Sequence, residues 1–207
     1  MSRVIKLADG GFFDLKNPGA GSPLTIQSAA VALSNICRFT GHVSRHYSVA
    51  QHSIVVALLV PEHLRYQALL HDITEAVLGD VASPLKALLP DYKEIEQAMY
   101  RKLAVQFGLP PEEHPLVKAA DRRALDIERR LLQPLNKEDY RHYDAEYAVE
   151  SNRWAEEVAA MHMTPAGAAA SFLAIYERYK HQHEHPQNVG HGDHDHEVSA
   201  PEGVPIH

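Results

Sequence analysis

The sequence contains a single cysteine, Cys37, among its 207 residues, which excludes a disulfide within the chain. A lone thiol is typical of a protein from a reducing compartment. No apolar run approaches the roughly 20 residues of a membrane-spanning helix, and no charged-then-apolar leader opens the chain. We therefore expect a cytoplasmic protein with no membrane partner.

Basic residues are fewer than acidic ones. The chain has 20 Lys and Arg residues and 27 Asp and Glu residues, which gives a net charge of −7. No basic run resembles a nucleic-acid footprint, so a nucleic-acid polymer is not an expected partner. An anionic substrate would have to be bound by a local patch or through a metal. The sequence lacks phosphate-binding-loop, GxGxxG and GxSxG motifs. This argues against a P-loop nucleotide site, a dinucleotide-binding site and a serine-hydrolase site.

The length of the chain favours one domain, and its apolar periodicity is helical. No alternating run of β-branched residues is long enough for a buried strand. Residues 1–24 are rich in Gly and Pro and predict a loop, with a short extended piece near Phe12 and Phe13. The predicted fold is all-α with roughly seven to nine helices. The helical segments are 26–36, 49–60, 62–78, 84–89, 92–107, 116–132, 145–161 and 165–180.

Capping signals mark the ends of several of these helices. Ser48 with Gln51 forms a capping-box pattern that places His52 in the first turns of its helix. Further N-caps are predicted at Ser83, Asp91 and Thr164, and helix ends at Gly79 and Gly108.

The last 27 residues, 181–207, differ from the rest, because they hold seven of the 15 histidines and few apolar residues. Such a segment cannot offset its ordering entropy, so we predict a disordered His-rich tail after a domain of residues 1–180. Its imidazoles are expected to bind divalent metals weakly.

His71 and Asp72 form an adjacent pair within an apolar stretch, and His52 and Asp121 occupy core-facing positions on other predicted helices. A buried carboxylate is costly unless it is paired or bound to a metal. Each residue alone could be a core polar group satisfied by a neighbour. One shared metal explains all four, because two imidazoles and two carboxylates offer mixed nitrogen and oxygen ligands to a divalent cation.

Four nearby residues are of the types that a phosphate-cleaving site uses. Glu75 lies one helical turn after His71 and could handle a proton, with an exposed helix glutamate as the alternative. Asp80 is a loop acid, for which capping is the alternative role. Arg38 could clamp a phosphate, and Lys86 stands at a helix start suited to an anion. A solvated surface charge is the alternative for both.

The order His52, His71-Asp72, Asp121 resembles the H…HD…D pattern of HD-domain metal-dependent phosphohydrolases. Over about residues 25–135 the chain most resembles the bacterial HD-domain 5'-deoxynucleotidases, with phage dATP triphosphohydrolases in the same neighbourhood. The segments that carry this resemblance are Arg38-Phe39, Val49-Ala50-Gln51-His52-Ser53, His71-Asp72-Ile73-Thr74-Glu75, Gly79-Asp80 and Pro84-Leu85-Lys86.

This resemblance implies an HD-domain-like helical bundle with one divalent transition metal, commonly Co²⁺, Mn²⁺ or Fe²⁺, with Mg²⁺ or Zn²⁺ as alternatives. The implied ligands are His52, His71, Asp72 and Asp121. Arg38 would hold the phosphate, Glu75 and Asp80 would handle water and protons, and Phe39 and Lys86 would contact the substrate. Phe39 stands where the nucleotidases typically have Trp, and Gln51 replaces a common Glu.

The expected function is hydrolysis of a phosphate ester in deoxynucleotides, of the 5'-deoxynucleotidase type. A dNTP triphosphohydrolase, for dATP among others, is the close alternative. A non-catalytic nucleotide or metal sensor, and a metal-handling factor that works through its tail, are alternatives of other classes. The expected location is the cytoplasm of a bacterium, or of the host if the protein is encoded by a phage. A nucleotide substrate is the expected partner, and a homo-oligomer is an open alternative to a monomer.

Overall fold

The computed structural model describes residues 3–18, 20–134 and 152–185 of the chain. Within these ranges the protein is predominantly helical, so the predicted all-α class is confirmed. A β-hairpin precedes nine α-helices in the described part of the chain. The helices are α1 (Ile26–Asn35), α2 (Val49–Leu58), α3 (Arg65–Leu69), α4 (Glu75–Leu78), α5 (Ser83–Lys86), α6 (Pro90–Phe107), α7 (Pro115–Leu132), α8 (Arg153–Ala160) and α9 (Pro165–Glu184).

The hairpin pairs β1 (Val4–Lys6) with β2 (Phe12–Asp14) in antiparallel fashion. Phe13 is buried in the core, so the extended piece expected near Phe12 and Phe13 is confirmed. The strand β1 was not predicted, because three residues are too few to show an alternating pattern.

Helix α2 is enclosed by the bundle and buried along its whole length. It packs against α1, α3, α7, α8 and α9. The Ser48 hydroxyl accepts a hydrogen bond from the Gln51 backbone N–H, as the capping pattern predicts. The Gln51 side chain does not complete a capping box, because its amide donates to the carbonyls of Val158 and Met161. These bonds tie the start of α2 to the end of α8.

The single helix predicted over 62–78 is wrong. The chain forms a 3₁₀ turn at Glu62–Leu64, then α3, then a non-helical stretch over 70–74, and then α4. Within the break, Ile73 N–H donates to Leu70 and Glu75 N–H to Asp72, at i−3 rather than i−4. The apolar periodicity continues through the break, so the pattern does not reveal it. Gly79 ends α4 with φ of 80°, at the predicted position.

Two predicted N-caps are also wrong. Helix α5 is capped by Ala82, so Ser83 is its first residue rather than its cap. Helix α6 starts at Pro90 after Leu89 and has no side-chain cap, which puts Asp91 in its first turn. In both helices proline lies at one of the first two positions, where its fixed φ suits a helix start. The predicted end of α6 at Gly108 is confirmed.

The last helices are present as predicted, with two changes of boundary. The helix predicted over 145–161 begins at Arg153 as α8, because Asn152 is extended and caps it by accepting a hydrogen bond from Trp154 N–H. Thr164 caps α9 as expected, since its hydroxyl accepts a hydrogen bond from Gly167 N–H. The end expected near Lys180 is wrong by one turn, because α9 continues to Glu184 and its His183 stacks on Tyr66. Residues 145–151 of the predicted 145–161 helix, and 186–207 of the predicted tail, lie outside the described residues. Among the described helices, none is long and apolar enough to cross a membrane.

Candidate metal centre

The four predicted ligands come together from three parts of the fold. His52 is supplied by α2, His71 and Asp72 by the break between α3 and α4, and Asp121 by α7. His52 Nε2 lies 3.5 Å from Asp72 Oδ2 and 3.1 Å from Asp121 Oδ1. His71 Nε2 lies 3.2 Å and 4.0 Å from the same two oxygens. The break in the helix therefore delivers two adjacent side chains to one point.

Each histidine is held by its other ring nitrogen. His52 Nδ1 lies 2.6 Å from Glu128 Oε1, and His71 Nδ1 lies 2.8 Å from the Ala68 carbonyl. Both contacts require a proton on Nδ1, which leaves Nε2 as the ring nitrogen available to a metal. Both Nε2 atoms are buried, and neither has a hydrogen-bond partner within the described ranges. Two buried Nε2 atoms that face carboxylates fit a metal ion.

The electrostatics of the cluster also favour a cation. Burial lowers the pKa of the His71 imidazole, but the adjacent Asp72 carboxylate outweighs it and raises that pKa to about 10. The same histidine, with His52 and Arg38, holds the pKa of Asp72 below its usual value despite burial. The carboxylates thus attract positive charge at the point where the ligand atoms meet. His52, His71 and Asp72 form a group that could hold a metal ion.

Glu128, one of the most buried charged residues, was missed by the sequence analysis. Its carboxylate receives hydrogen bonds from Tyr47 at 2.9 Å and from Arg38 Nε at 3.1 Å, in addition to its contact with His52. Burial raises the pKa of Glu128, but Arg38 and His52 outweigh it and hold the pKa below its usual value. Glu128 lies seven residues after Asp121, on the same face of α7. That spacing was the signal that could have revealed it.

Replacing Glu128 by Gln should weaken metal binding by roughly 10–100-fold, because His52 loses the charged acceptor that fixes its tautomer. Equilibrium dialysis or calorimetric titration with Mn²⁺ or Co²⁺ measures the effect. Glu157→Gln is the matched control, since Glu157 pairs with Arg153 at the surface. An unchanged dissociation constant in Glu128→Gln would show that the Glu128 contact does not support the centre.

Arg38 lies beside the cluster, as predicted, but part of its guanidinium is already engaged. Its side chain is 11% exposed, with Nε on Glu128 and Nη1 3.8 Å from Asp72 Oδ2. The backbone after it is unusual, because Phe39 and Thr40 both have positive φ values, of 56° and 54°. The guanidinium carbon lies 5.6 Å from the centroid of the Phe39 ring. The tight turn thus holds Phe39 against Arg38.

Glu75 is buried, which excludes the alternative of an exposed helix glutamate. Its Oε2 has no hydrogen-bond partner in the described part of the chain. Burial, together with the charges of Asp72 and Asp80, raises the pKa of Glu75 to about 10. Asp80 follows Gly79, and burial raises its pKa, against the effect of Arg38. Glu75 is therefore protonated at neutral pH in the metal-free protein.

The raised pKa of Glu75 predicts how stability depends on pH. The folded protein binds a proton at Glu75 between pH 4.5 and about 10, where the unfolded chain does not, so this group makes stability fall as pH rises. Metal-free Glu75→Gln should therefore lose less unfolding free energy than metal-free wild type between about pH 6 and 9. Urea unfolding at several pH values measures this. Parallel pH profiles would contradict the buried, protonated Glu75.

The Lys86 ammonium group already has an acidic partner. Its ammonium lies 2.6 Å from Glu96 Oε1 and 5.6 Å from the Tyr92 ring centroid, both on α6. Burial lowers the pKa of Lys86, but the bond to Glu96 outweighs it and raises the pKa. Lys86 thus joins α5 to α6, and a substrate would have to compete with Glu96 for its charge.

A cavity of about 350 Å³ borders the cluster on the side of His71. Its walls come from the helix break, α6, the loop before α7 and α7 itself. Its volume is in the range of small-molecule sites. The sequence analysis did not predict it, because its walls are distant in the sequence. The lining residues are His71, Thr74, Glu96, Gln97, Tyr100, Arg101, Pro111, Glu112, Glu113 and Lys118.

The fold and the cluster together define an all-α protein with a buried group of His and Asp residues that could hold a metal ion. No protein-family model matches the chain. The chain is 32% identical over 136 residues to the uncharacterized protein RCAP_rcc00048 of Rhodobacter capsulatus, a match that covers 61% of this chain and 69% of that protein. The chain belongs to the same family as this protein.

A second relative is more similar over a shorter region. The chain is 49% identical over 107 residues to the uncharacterized protein YfdR of Escherichia coli, which covers 52% of this chain. The match spans 60% of the length of the E. coli protein. Since both relatives are uncharacterized, the function has to be argued from the site.

Proposed function

We propose that the protein is a metal-dependent phosphohydrolase acting on deoxynucleotides. The observation that carries this proposal is the convergence of His52, His71, Asp72 and Asp121, with both imidazole Nε2 atoms buried and facing the carboxylates. Arg38 and Glu75 interact electrostatically with this cluster, and they are the residue types that phosphate-ester cleavage needs. The resemblance to HD-domain 5'-deoxynucleotidases agrees with this arrangement.

The donor set suits a divalent transition metal, with Co²⁺, Mn²⁺ and Fe²⁺ as the proposed ions. A bound cation supplies Lewis acidity, since it polarises a phosphoryl oxygen and lowers the pKa of water. The chain holds the ligands in place through Glu128 and the Ala68 carbonyl. Asp121 is 43% exposed in its side chain, so the cluster is open to solvent on that side and a substrate can reach it.

The remaining residues have separate roles in the proposed hydrolysis. Arg38 holds the phosphate and offsets its charge. Water attacks phosphorus as the bond to the 5' oxygen breaks. Asp80 accepts the proton of the water, and protonated Glu75 gives its proton to the leaving oxygen. Products are a nucleoside and phosphate if the substrate is a monophosphate.

A dNTP triphosphohydrolase is the second candidate, and the cavity is the observation that favours it. Arg101 and Lys118 line the cavity beside His71 and could contact additional phosphates. Glu112 and Glu113 line the same cavity and oppose a polyphosphate. The two candidates differ in their product, since a triphosphate cleaved at the α-phosphorus releases inorganic triphosphate.

A panel of dNMPs and dNTPs assayed with Mn²⁺ or Co²⁺ tests the proposal. We expect nucleoside and phosphate from at least one dNMP, with chelator abolishing release and added metal restoring it. Inorganic triphosphate from a dNTP would favour the second candidate. Metal-dependent binding of nucleotides without turnover of any of them would overturn the enzyme and favour a sensor.

A further inference from the structure

Two histidines at metal-binding spacing lie at the end of α9, His181 in its last turn and His185 as the residue that caps it. His181 and His185 lie four residues apart, and their ring centroids are 4.9 Å apart with the rings tilted by 52°. The helical hydrogen bond between them is intact, since His185 N–H donates to the His181 carbonyl at 3.0 Å. Both side chains are exposed. Residues at this spacing share one helix face, so a single ion can reach both rings.

We propose that His181 and His185 form a second metal site, separate from the buried centre, that binds a borderline divalent cation such as Ni²⁺, Cu²⁺ or Zn²⁺. Paired histidines four residues apart on a helix are an established way to bind Zn²⁺, and imidazole suits each of these ions. Water completes the coordination, because the rings face solvent. The site is therefore open and weaker than the buried centre.

The turn that carries the pair is anchored to the domain by the residues between them. His183 stacks on Tyr66 with centroids 4.7 Å apart and rings 18° from parallel. The Gln182 amide donates to Glu62 Oε1 at 2.9 Å. These contacts hold the last turn in helical form, so the spacing of His181 and His185 exists before a metal binds. His183 stacks on Tyr66 rather than on the pair. The variant His183→Phe keeps an aromatic ring at this contact and removes the imidazole nitrogens, so it is the matched control.

The test uses the full chain with the four histidines at 191, 194, 196 and 207 replaced by Asn, which removes their contribution to binding. Calorimetric titration with Ni²⁺ is run on this parent, on His181→Asn, on His185→Asn and on His183→Phe. We expect the first two to lose one equivalent of bound Ni²⁺ and the third to keep it. Because a bridged turn resists fraying, Ni²⁺ should also raise the melting temperature of the parent more than that of His181→Asn.

A separate variant distinguishes this site from the buried centre. His52→Ala in the same parent should lose the equivalent that belongs to the centre and keep the one that His181→Asn removes. Equal stoichiometry and affinity in the parent, His181→Asn and His185→Asn would overturn the proposal. Loss of the equivalent in His183→Phe alone would assign the ion to another site.

Discussion

Asp72→Asn and His52→Ala should each remove tightly bound metal and abolish hydrolysis, the largest effects that we expect from single substitutions. His52→Ala deletes a proposed ligand atom, and Asp72→Asn replaces a charged carboxylate ligand by a neutral amide, whereas the Glu128 substitution only weakens the support of one ligand. The remaining ligands cannot hold the ion against dialysis. Metal content after exhaustive dialysis, measured together with turnover on the best substrate of the panel, gives the result.

Controls separate loss of metal from loss of fold. His52 is fully buried, so His52→Ala leaves a cavity and removes a partner of Glu128. Asp72→Asn keeps the side-chain shape and is the more decisive variant. His63→Ala removes an exposed histidine elsewhere and should keep both metal and activity. If Asp72→Asn stays folded and retains one equivalent of metal at wild-type affinity, the ligand assignment is wrong.

Most of the fold could be predicted because its helices are amphipathic or have clear ends. Helix α7 was found within one residue of its start, and Gly79 and Gly108 end helices where expected. The His71-Asp72 break was not predictable, since the apolar residues on both sides continue the helical period. A periodic pattern reports which face is buried, and it does not report whether i−4 hydrogen bonds are unbroken.

The cluster itself was predictable because a buried charge needs an explanation. His52 and His71 are buried and Asp72 is largely so, and a shared ion reduces the cost of placing them there. Asp121 is less buried than its expected core-facing position implied, since its side chain is 43% exposed. Glu128 lies on the same face of α7 as Asp121 and is also a charged residue at a core-facing position. The same argument about buried charge would have identified Glu128 as part of the cluster. The cavity depends on how α6, α7 and the intervening loop pack, and no local pattern contains that information.

Glu75→Gln should leave the metal bound and reduce turnover by roughly 10²–10⁴-fold, as expected for loss of a general acid. Glu75 is buried, and its pKa of about 10 in the metal-free protein keeps a proton available at neutral pH. Glutamine fills the same space and cannot give up that proton to the leaving oxygen. Metal content should match wild type, which distinguishes this variant from Asp72→Asn.

Substrates with different leaving groups test whether Glu75 protonates the leaving oxygen. A substrate whose leaving group is a weak base, such as p-nitrophenyl phosphate, needs little protonation, so Glu75→Gln should cleave it at a rate much closer to wild type. From a dNMP the nucleoside leaves through a strongly basic 5' alkoxide, so this substrate should show the full loss in kcat. Glu156→Gln, on the exposed face of α8, is the control for a Glu-to-Gln change. Equal losses on both substrates would assign Glu75 a structural role, and undiminished turnover on both would remove it from the reaction.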